Sequence, residues 1–364
     1  MKTCLHDKHV ALGAQMAPFA GFDMPIVYRG IPEEHNAVRE HSGMFDVSHM
    51  GEFHVGGPGA LAFIERVFTN DAANLADGHV AYGMLTREDG GVVDDLLVYR
   101  RSATSFVPVV NAANIDKDFA WLQECLKKEG IEGVELTNLS DDVSEIALQG
   151  PEAEDVLRKA LGLDMSGLEF YAFCEPEWEG HRLMVSRTGY TGEDGFEIYA
   201  PADVIIRIWD VLLEAGVEPC GLGCRDTLRF EVGLPLYGHE LADDITPVEG
   251  SLSMFCKLDK PGGFLGSDVL ARQKAEGPKR RIVGLELLDK AIPRAGYEVL
   301  NAEGEVVGHI TTGYRGISVD KSIAMALVDA RYAARDTELQ VRIRRKTFPA
   351  RVIPRRFYKK SYKK

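Results

Sequence analysis

Apolar positions along the first two thirds of the chain switch between two periods, and the switch occurs twice. Glu52–Phe68 reads E-F-H-V-G-G-P-G-A-L-A-F-I-E-R-V-F, and Glu145–Leu161 reads E-I-A-L-Q-G-P-E-A-E-D-V-L-R-K-A-L. In each, a short run with strand spacing meets a Gly-Pro turn and passes into helical spacing. Ala60, Phe63, Ile64, Val67 and Phe68 share one helical face, and Ala153, Val156, Leu157, Ala160 and Leu161 repeat it. The proline is expected in the first helical turn, where its missing N–H breaks no intrahelical bond.

The segments after the two copies match as well. After the first come predicted strands Val92–Tyr99 and Phe106–Asn111, then a helix from Ile115 to Lys128 with Phe119, Leu122 and Leu126 inward and Asn114 or Asp116 as its cap. After the second come strands Leu183–Arg187 and Phe196–Ala200, then a helix from Ala202 to Glu214 with Ile205, Ile208, Trp209 and Leu212 inward. Two β-α-β-β-α units imply an α+β fold of duplicated, mainly antiparallel sheets, of the kind that packs face to face around a shared site. Arg272–Lys279 is expected to be a linker. Beyond it, strands Ile282–Leu287, Val306–Thr312, Ile323–Leu327, Leu339–Arg344 and Phe348–Ile353, separated by glycine turns, predict a small β-barrel or sandwich. Residues 1–275 are therefore expected to form one region of two interleaved α+β subdomains, and 280–364 a C-terminal β-barrel domain.

Composition narrows the setting. The 364 residues are 45% hydrophobic and 27% charged, as in an ordinary globular protein. No apolar run approaches the roughly 20 residues needed to cross a bilayer, so no membrane association is expected. The first residues lack the apolar stretch of a secretory signal and the Arg-rich, acid-poor pattern of a transit peptide, which predicts a cytoplasmic protein. Cys4, Cys125, Cys174, Cys220, Cys224 and Cys256 show no paired spacing and are expected to be reduced thiols rather than metal ligands. The net charge of −14 argues against nucleic acid as a partner. Charge is uneven, because Gln340–Lys364 holds 11 Lys/Arg and no Asp/Glu. Such an end either solubilises the terminus or attracts an anionic substrate tail or an acidic protein. A monomer is expected.

The stretch richest in candidate chemistry is Arg187–Tyr199, R-T-G-Y-T-G-E-D-G-F-E-I-Y. Its glycines permit sharp turns or close backbone approach. Tyr190 offers a flat face with a polar tip, and Glu197 can accept two parallel hydrogen bonds from the planar edge of a heterocycle such as a pterin. The competing reading is a β-hairpin with a glycine turn and a solvated carboxylate. The first repeat carries G-G-V-V-D-D-L-L-V-Y at the matching place. Strand alternation sends Asp94 one way and Asp95, Leu97 and Tyr99 the other, so one aspartate alone can face a given pocket. Arg225 stands in the first turn of a predicted helix ending at Gly233, where a cation opposes the helix dipole. That placement favours a site role, with Arg229 as its structural competitor. No phosphate loop, dinucleotide fingerprint, G-x-S-x-G elbow or H-E-x-x-H occurs. His49 lacks a partner at ligand spacing, so a structural or pocket-lining role is expected for it and no metal site. What remains is a constellation of carboxylates, an arginine, tyrosines and an asparagine, suited to positioning and proton management.

These residues also carry a resemblance. P-F-A-G-F-D-M-P (18–25), F-D-V-S-H-M-G (45–51), T-N-D (69–71), G-G-V-V-D-D-L-L-V-Y (90–99), V-N-A-A-N-I-D-K-D (110–118), L-Q-G-P (148–151), G-Y-T-G-E-D-G-F-E (189–197), G-L-G-C-R-D-T-L-R (221–229) and T-P-V-E-G-S-L (246–252) resemble, in this order, the aminomethyltransferases, or T-proteins, of the glycine cleavage system. The resemblance implies a three-domain cloverleaf around a folate site. It implies an enzyme that moves the methylene carbon of an aminomethyl group, borne on the lipoyl arm of the H-protein, to tetrahydrofolate, giving methylene-tetrahydrofolate and ammonia. Lipoylated H-protein and folate, in its polyglutamylated form as well, would be the partners, with no metal. By position, Asp95 matches the key acidic residue near the reacting nitrogens. Glu197, Arg225 and Tyr362 match folate-holding residues, while Tyr82, Tyr99, Val110, Asn111 and Tyr190 match pocket-lining ones. Met254 stands where the family often has tryptophan, and the tail is unusually lysine-rich. The alternatives of the same fold are another tetrahydrofolate-dependent demethylase and a non-enzymatic folate-binding iron–sulfur assembly factor. The latter carries K-G-C-x-x-G-Q-E where this chain has R-T-G-Y-T-G-E-D.

Overall fold

The computed structural model describes residues 1–359. Tyr362 lies outside the described residues. The fold is α+β and, among the described residues, has two large, mainly antiparallel sheets, two two-stranded ribbons and a closed barrel. One sheet has five antiparallel strands in the order His79–Thr86, Val92–Ser102, Ser105–Val110, Gly51–Gly56 and Glu135–Asn138. The other has six, in the order Phe173–Cys174, Met184–Ser186, Gly195–Ala200, Ser144–Gln149, Gly43–Asp46 and Glu218–Pro219, the last pairing in parallel. Gly43–Asp46 precedes the first repeat in the chain yet pairs with the sheet of the second, so the two units interleave.

Helices cover one face of each sheet. Ala60–Val67 and Ile115–Glu129 seal Phe53, Val55, Val98 and Phe106 of the first, and Phe53 meets Phe119 with ring centroids 5.2 Å apart. Ala202–Glu214 lays Ile205, Ile208, Trp209 and Leu212 on Ile146, Leu148, Phe196 and Ile198 of the second. The uncovered faces pack on each other through Val80, Tyr99, Val107 and Val109 from one sheet and Phe173, Met184 and Tyr199 from the other. The sheets therefore meet face to face, as the duplication implies.

Several local expectations differ from what the chain does. Both repeat helices begin two residues after their proline, at Ala60 and Ala153. A single turn precedes each, closed by Ala60 N–H donating to Gly57 O and Ala153 N–H to Gly150 O, and the proline sits inside it. Asn114 occupies the N-cap position of the helix Ile115–Glu129 without capping it, because its side chain is drawn to Asp94. The strand His79–Thr86 is absent from the sequence expectations; it supplies the outer edge of the first sheet. The expected linker Arg272–Lys279 is mostly helix, since Ser267–Glu276 is anchored by buried Leu270 and stopped by Gly277 at φ +88°. The C-terminal strands close a six-stranded barrel rather than a sandwich, in the order Arg280–Leu287, Ser322–Asp329, Val306–Arg315, Glu298–Leu300, Glu338–Ile343 and Lys346–Ile353. The short strand Glu298–Leu300, likewise without a clear sequence pattern, completes the circle. No helix among the described residues is long and apolar enough to cross a membrane.

Candidate active site

Two adjoining chambers open between the two sheet units and the barrel. The outer one, about 750 Å³, is walled by Phe19, His49, Leu222, Tyr237, Ile292 and Tyr314 among others. The inner one, about 180 Å³, is walled by Tyr82, Asp95, Leu97, Glu145, Glu197 and Phe255 among others. Met50, Asn111, Tyr190 and Arg225 belong to both and form the waist between them. Six residues singled out in the sequence thus border one space: Tyr82, Asp95, Asn111, Tyr190, Glu197 and Arg225. Tyr99 is fully buried behind it, its hydroxyl 2.8 Å from that of Tyr199. Val110 is fully buried too, in the core between the first sheet and its helices.

A bulge sets the direction of the aspartates. Asp94 pairs with Leu85 and Val92 with Thr86, leaving Val93 unpaired between them. Asp94 consequently turns to the helix side. Its Oδ2 accepts the Asn111 N–H at 3.0 Å, and its Oδ1 accepts the side-chain amides of Asn111 at 2.8 Å and Asn114 at 2.7 Å. Asp95 turns to the inner chamber. Its Oδ2 accepts the Tyr82 hydroxyl at 2.8 Å and its Oδ1 the Asn111 amide at 3.0 Å.

Burial and then the neighbouring charge of Asp94 raise the Asp95 carboxyl to about 7, against the opposing pull of Tyr82 and Asn111. Asp118, buried beside Asp94, is raised to about 10 by burial and by that same neighbour, and so keeps its proton. The result is a row of three carboxyl groups in which Asp118 is neutral, Asp94 is raised by burial against the opposing pull of the Asn111 and Asn114 amides, and Asp95 is poised to exchange a proton near neutral pH. Asp118 has no distinguishing signal in the sequence, since only the fold brings its helix against the bulge.

The segment Arg187–Tyr199 is a β-hairpin, and its carboxylate is not solvated. Glu197 is buried; its Oε2 accepts the Thr188 hydroxyl, and burial raises its carboxyl. The glycines serve the turn and a close approach to Gln149. A Cβ on Gly189 would lie 2.0 Å from Gln149 Oε1, and Gly192 has φ +85°. Of the two arginines, Arg229 is fully buried and bound to Asp226 at 2.6 Å and Glu240 at 3.0 Å. Arg225 lies with its guanidinium 4.8 Å from the Tyr190 ring centroid, and its buried Nη1 has no partner. A desolvated guanidinium N–H without an acceptor is costly, and it suits a site built to receive an acceptor from a ligand.

Other lining residues have weaker signals in the sequence. His49 is buried in the outer chamber, lowered to about 4 by burial and by Arg225, and is therefore neutral. Arg355 and Arg356 reach the inner chamber from the segment after the barrel, Arg355 donating to Gly250 O at 2.7 Å and Ser251 O at 2.9 Å. Met254 lies at the chamber's exposed rim. Glu145 faces the same chamber with Oε2 unpartnered. All six cysteines are free.

Comparison with known proteins agrees along the whole chain. Residues 5–260 match the GCVT N-terminal domain family, and residues 280–359 match the glycine cleavage T-protein C-terminal barrel domain family. An aminomethyltransferase of Geobacillus sp. (strain WCH70) is 47% identical over 365 residues, 99% of each chain. One of Thermoanaerobacter pseudethanolicus is 47% identical over 368 residues, covering 100% of this chain and 99% of that one. The crystal structure of glycine cleavage system aminomethyltransferase T from Bartonella henselae superposes with a TM-score of 0.94 at 34% identity, covering 100% of this chain and 99% of that one.

Proposed function

The chain belongs to the glycine cleavage T-protein family of aminomethyltransferases, and on that premise we propose that its inner chamber receives tetrahydrofolate, with Asp95 as the residue that manages protons there. The enzyme moves the methylene carbon of an aminomethyl group to tetrahydrofolate and releases ammonia. Tetrahydrofolate supplies the two nitrogens that take up the carbon.

The observation that carries the site assignment is the match between vacant polar capacity and the edge of a pterin. Arg225 Nη1 lacks an acceptor, and Glu197 lies buried in the same wall. Tyr82 and Phe255, edge to face at 4.8 Å, supply an apolar flank suited to a flat ring. Glu197 and Arg225 hold and orient. Asp95, near 7, accepts a proton and returns one without leaving the range of neutral pH. Asn111 fixes Asp95 to Asp94, so the charge that raises Asp95 stays in place.

The outer chamber suits the second substrate. It is wide, largely apolar and meets the inner one at the waist, so the lipoyl arm of the H-protein can bring its aminomethyl group to Arg225 and Asn111 from the opposite side. The basic end of the chain, of which Arg355 and Arg356 border the inner chamber, suits a folate bearing a polyglutamate tail. A catalytically competent monomer is part of the proposal. The test is direct titration of the protein with tetrahydrofolate. Arg225→Lys should weaken binding at least ~10-fold, because a single ammonium cannot present the planar N–H fork. Unchanged affinity would remove the folate from this wall.

A further inference from the structure

Glu145 is a buried acid in the wall of the inner chamber. It is 2% exposed, and its Oε2 has no partner among the described residues. The strand Ser144–Gln149 pairs with Gly195–Ala200, with Ala147 opposite Glu197 and Glu145 opposite Tyr199. Ile146, Leu148, Phe196 and Ile198 point to the helix side, so Glu145 and Glu197 share the other face as diagonal neighbours. Such neighbours lie about 7–8 Å apart. Two buried carboxyl groups therefore stand side by side on one sheet face and border the same chamber. An apolar side chain would occupy the place of Glu145 without an unmet hydrogen bond, so packing alone gives no reason for an acid there.

The two acids differ in their company. Burial raises both, but at Glu197 the Thr188 hydroxyl, donating to Oε2, and Arg225, from the helix Leu222–Glu231, oppose that rise. Both favour an ionised Glu197. Glu145 Oε2 has no donor, and burial, then the charges of Glu197 and Glu52, hold its carboxyl well above the usual range against the pull of Arg225. Glu145 is thus a neutral acid, with an oxygen that accepts and an O–H that donates. Arg225 Nη1, in the same chamber, is a donor without an acceptor. The chamber accordingly presents a guanidinium N–H, a carboxylate and a neutral acid. The pyrimidine edge of a tetrahydropterin presents, in order, a carbonyl oxygen, a ring N–H, an amino group and a bare ring nitrogen.

We propose that Glu145 is a specificity-determining residue for tetrahydrofolate, pairing with the 2-amino group and N1 of the pterin while Glu197 pairs with the same amino group and the N3–H. The Glu145 carbonyl oxygen accepts one amino N–H, and its O–H donates to N1. The Glu197 carboxylate accepts the other amino N–H and the N3–H, and Arg225 Nη1 donates to the C4 carbonyl oxygen. The vacant Nη1 and the vacant Oε2 are both satisfied, and no proton changes hands. With the amino group held from both sides, a ring that lacks it leaves two buried carboxyl groups short of a donor and is rejected.

This role rests on the tetrahydrofolate site proposed above, and the experiment separates the two. The full-length protein is titrated with tetrahydrofolate and with an analogue that carries a methyl group in place of the 2-amino group. Glu145→Leu removes acceptor and donor at similar size, and Glu145→Ala makes the same cut should leucine fit poorly. Either should weaken tetrahydrofolate binding at least ~10-fold, with a loss at least ~5-fold smaller for the methyl analogue, because the amino group is one of the lost partners. Glu145→Gln keeps an acceptor oxygen and an N–H donor and should recover most of the affinity; a glutamine no better than leucine would contradict the paired acceptor and donor. Equal losses for the two ligands would mark a structural role for Glu145 and overturn the proposal. Tetrahydrofolate affinity unchanged in both Glu145→Leu and Glu145→Ala would overturn it too, and either result leaves the site itself standing. No binding of tetrahydrofolate by the unsubstituted protein rejects the site, and the role of Glu145 falls with it.

Discussion

Asp94 and Asp95 are chain neighbours with opposite duties, and the difference lies in which groups each one meets. Asp94 is bound by the amide donors of Asn111 and Asn114, while Asp95 has the chamber in front of it and Asp94 behind it. Asp95→Asn should therefore lower turnover by about 10²-fold or more while leaving tetrahydrofolate affinity within a few-fold, read from kcat and a binding titration side by side. Equal losses in both would refute the separation of roles. The sign of the pH dependence follows from a raised carboxyl that must be ionised to accept a proton: kcat/KM falls as pH drops through about 7. Asn111→Ala removes donors that favour the ionised form, so that limb should move to higher pH; movement to lower pH would contradict the assignment. Glu197→Ala should chiefly weaken tetrahydrofolate binding, by about 10- to 100-fold, the range of a hydrogen bond to a charged group. At this scale the sequence tells which way Asp95 points, because strand alternation has a period of two. It does not reveal Asp118 or Glu145, whose relevance depends on a helix crossing a bulge and on two sheets meeting.

At the scale of elements, the repeat helices are held by one apolar stripe each. Phe63 is fully buried between the first sheet and its helices. Phe63→Ala should destabilise the fold by about 3–5 kcal/mol, measured by denaturant unfolding, and a loss under about 1 kcal/mol would show that the site collapses around the gap. Asp118 makes a second prediction here. Its carboxyl is raised from 3.8 to about 10 in the folded chain, so the stability linked to it is complete below the ordinary carboxylate value and is lost as pH rises toward about 10. Asp118→Asn should accordingly narrow the fall in melting temperature between neutral and alkaline pH; an equal fall in both proteins would contradict the neutral Asp118. The long periodic helices are legible because a stripe recurs over several turns. The strand His79–Thr86 is not, since Gly83 interrupts its alternation where Phe68 leaves no room for a side chain: a Cβ there would fall 2.5 Å from that ring. The helix Ser267–Glu276 reads as a linker because a single buried residue, Leu270, ties it down.

Across the whole molecule, duplication explains why one site draws on distant segments. Each unit leaves one sheet face bare, the bare faces meet, and Asp95 from one hairpin and Glu197 from the other border the same chamber. Barrel residues such as Ile292 and Tyr314 close the outer side. The duplicated pattern makes this architecture legible, whereas the two chambers and their shared waist arise from how three units pack and have no linear signature. The basic end belongs to this scale too. Removing the residues after Lys359 should reduce affinity for polyglutamyl tetrahydrofolate more than for the monoglutamate, and an unchanged ratio would dismiss a role for them in binding the tail. The most direct test of the whole account is a single assay in which the protein is mixed with aminomethylated, lipoylated H-protein and tetrahydrofolate while ammonia and methylene-tetrahydrofolate are measured together. The account predicts equal amounts of both, dependent on tetrahydrofolate and suppressed in Asp95→Asn. Tight tetrahydrofolate binding without either product, or an undiminished yield from Asp95→Asn, would contradict it.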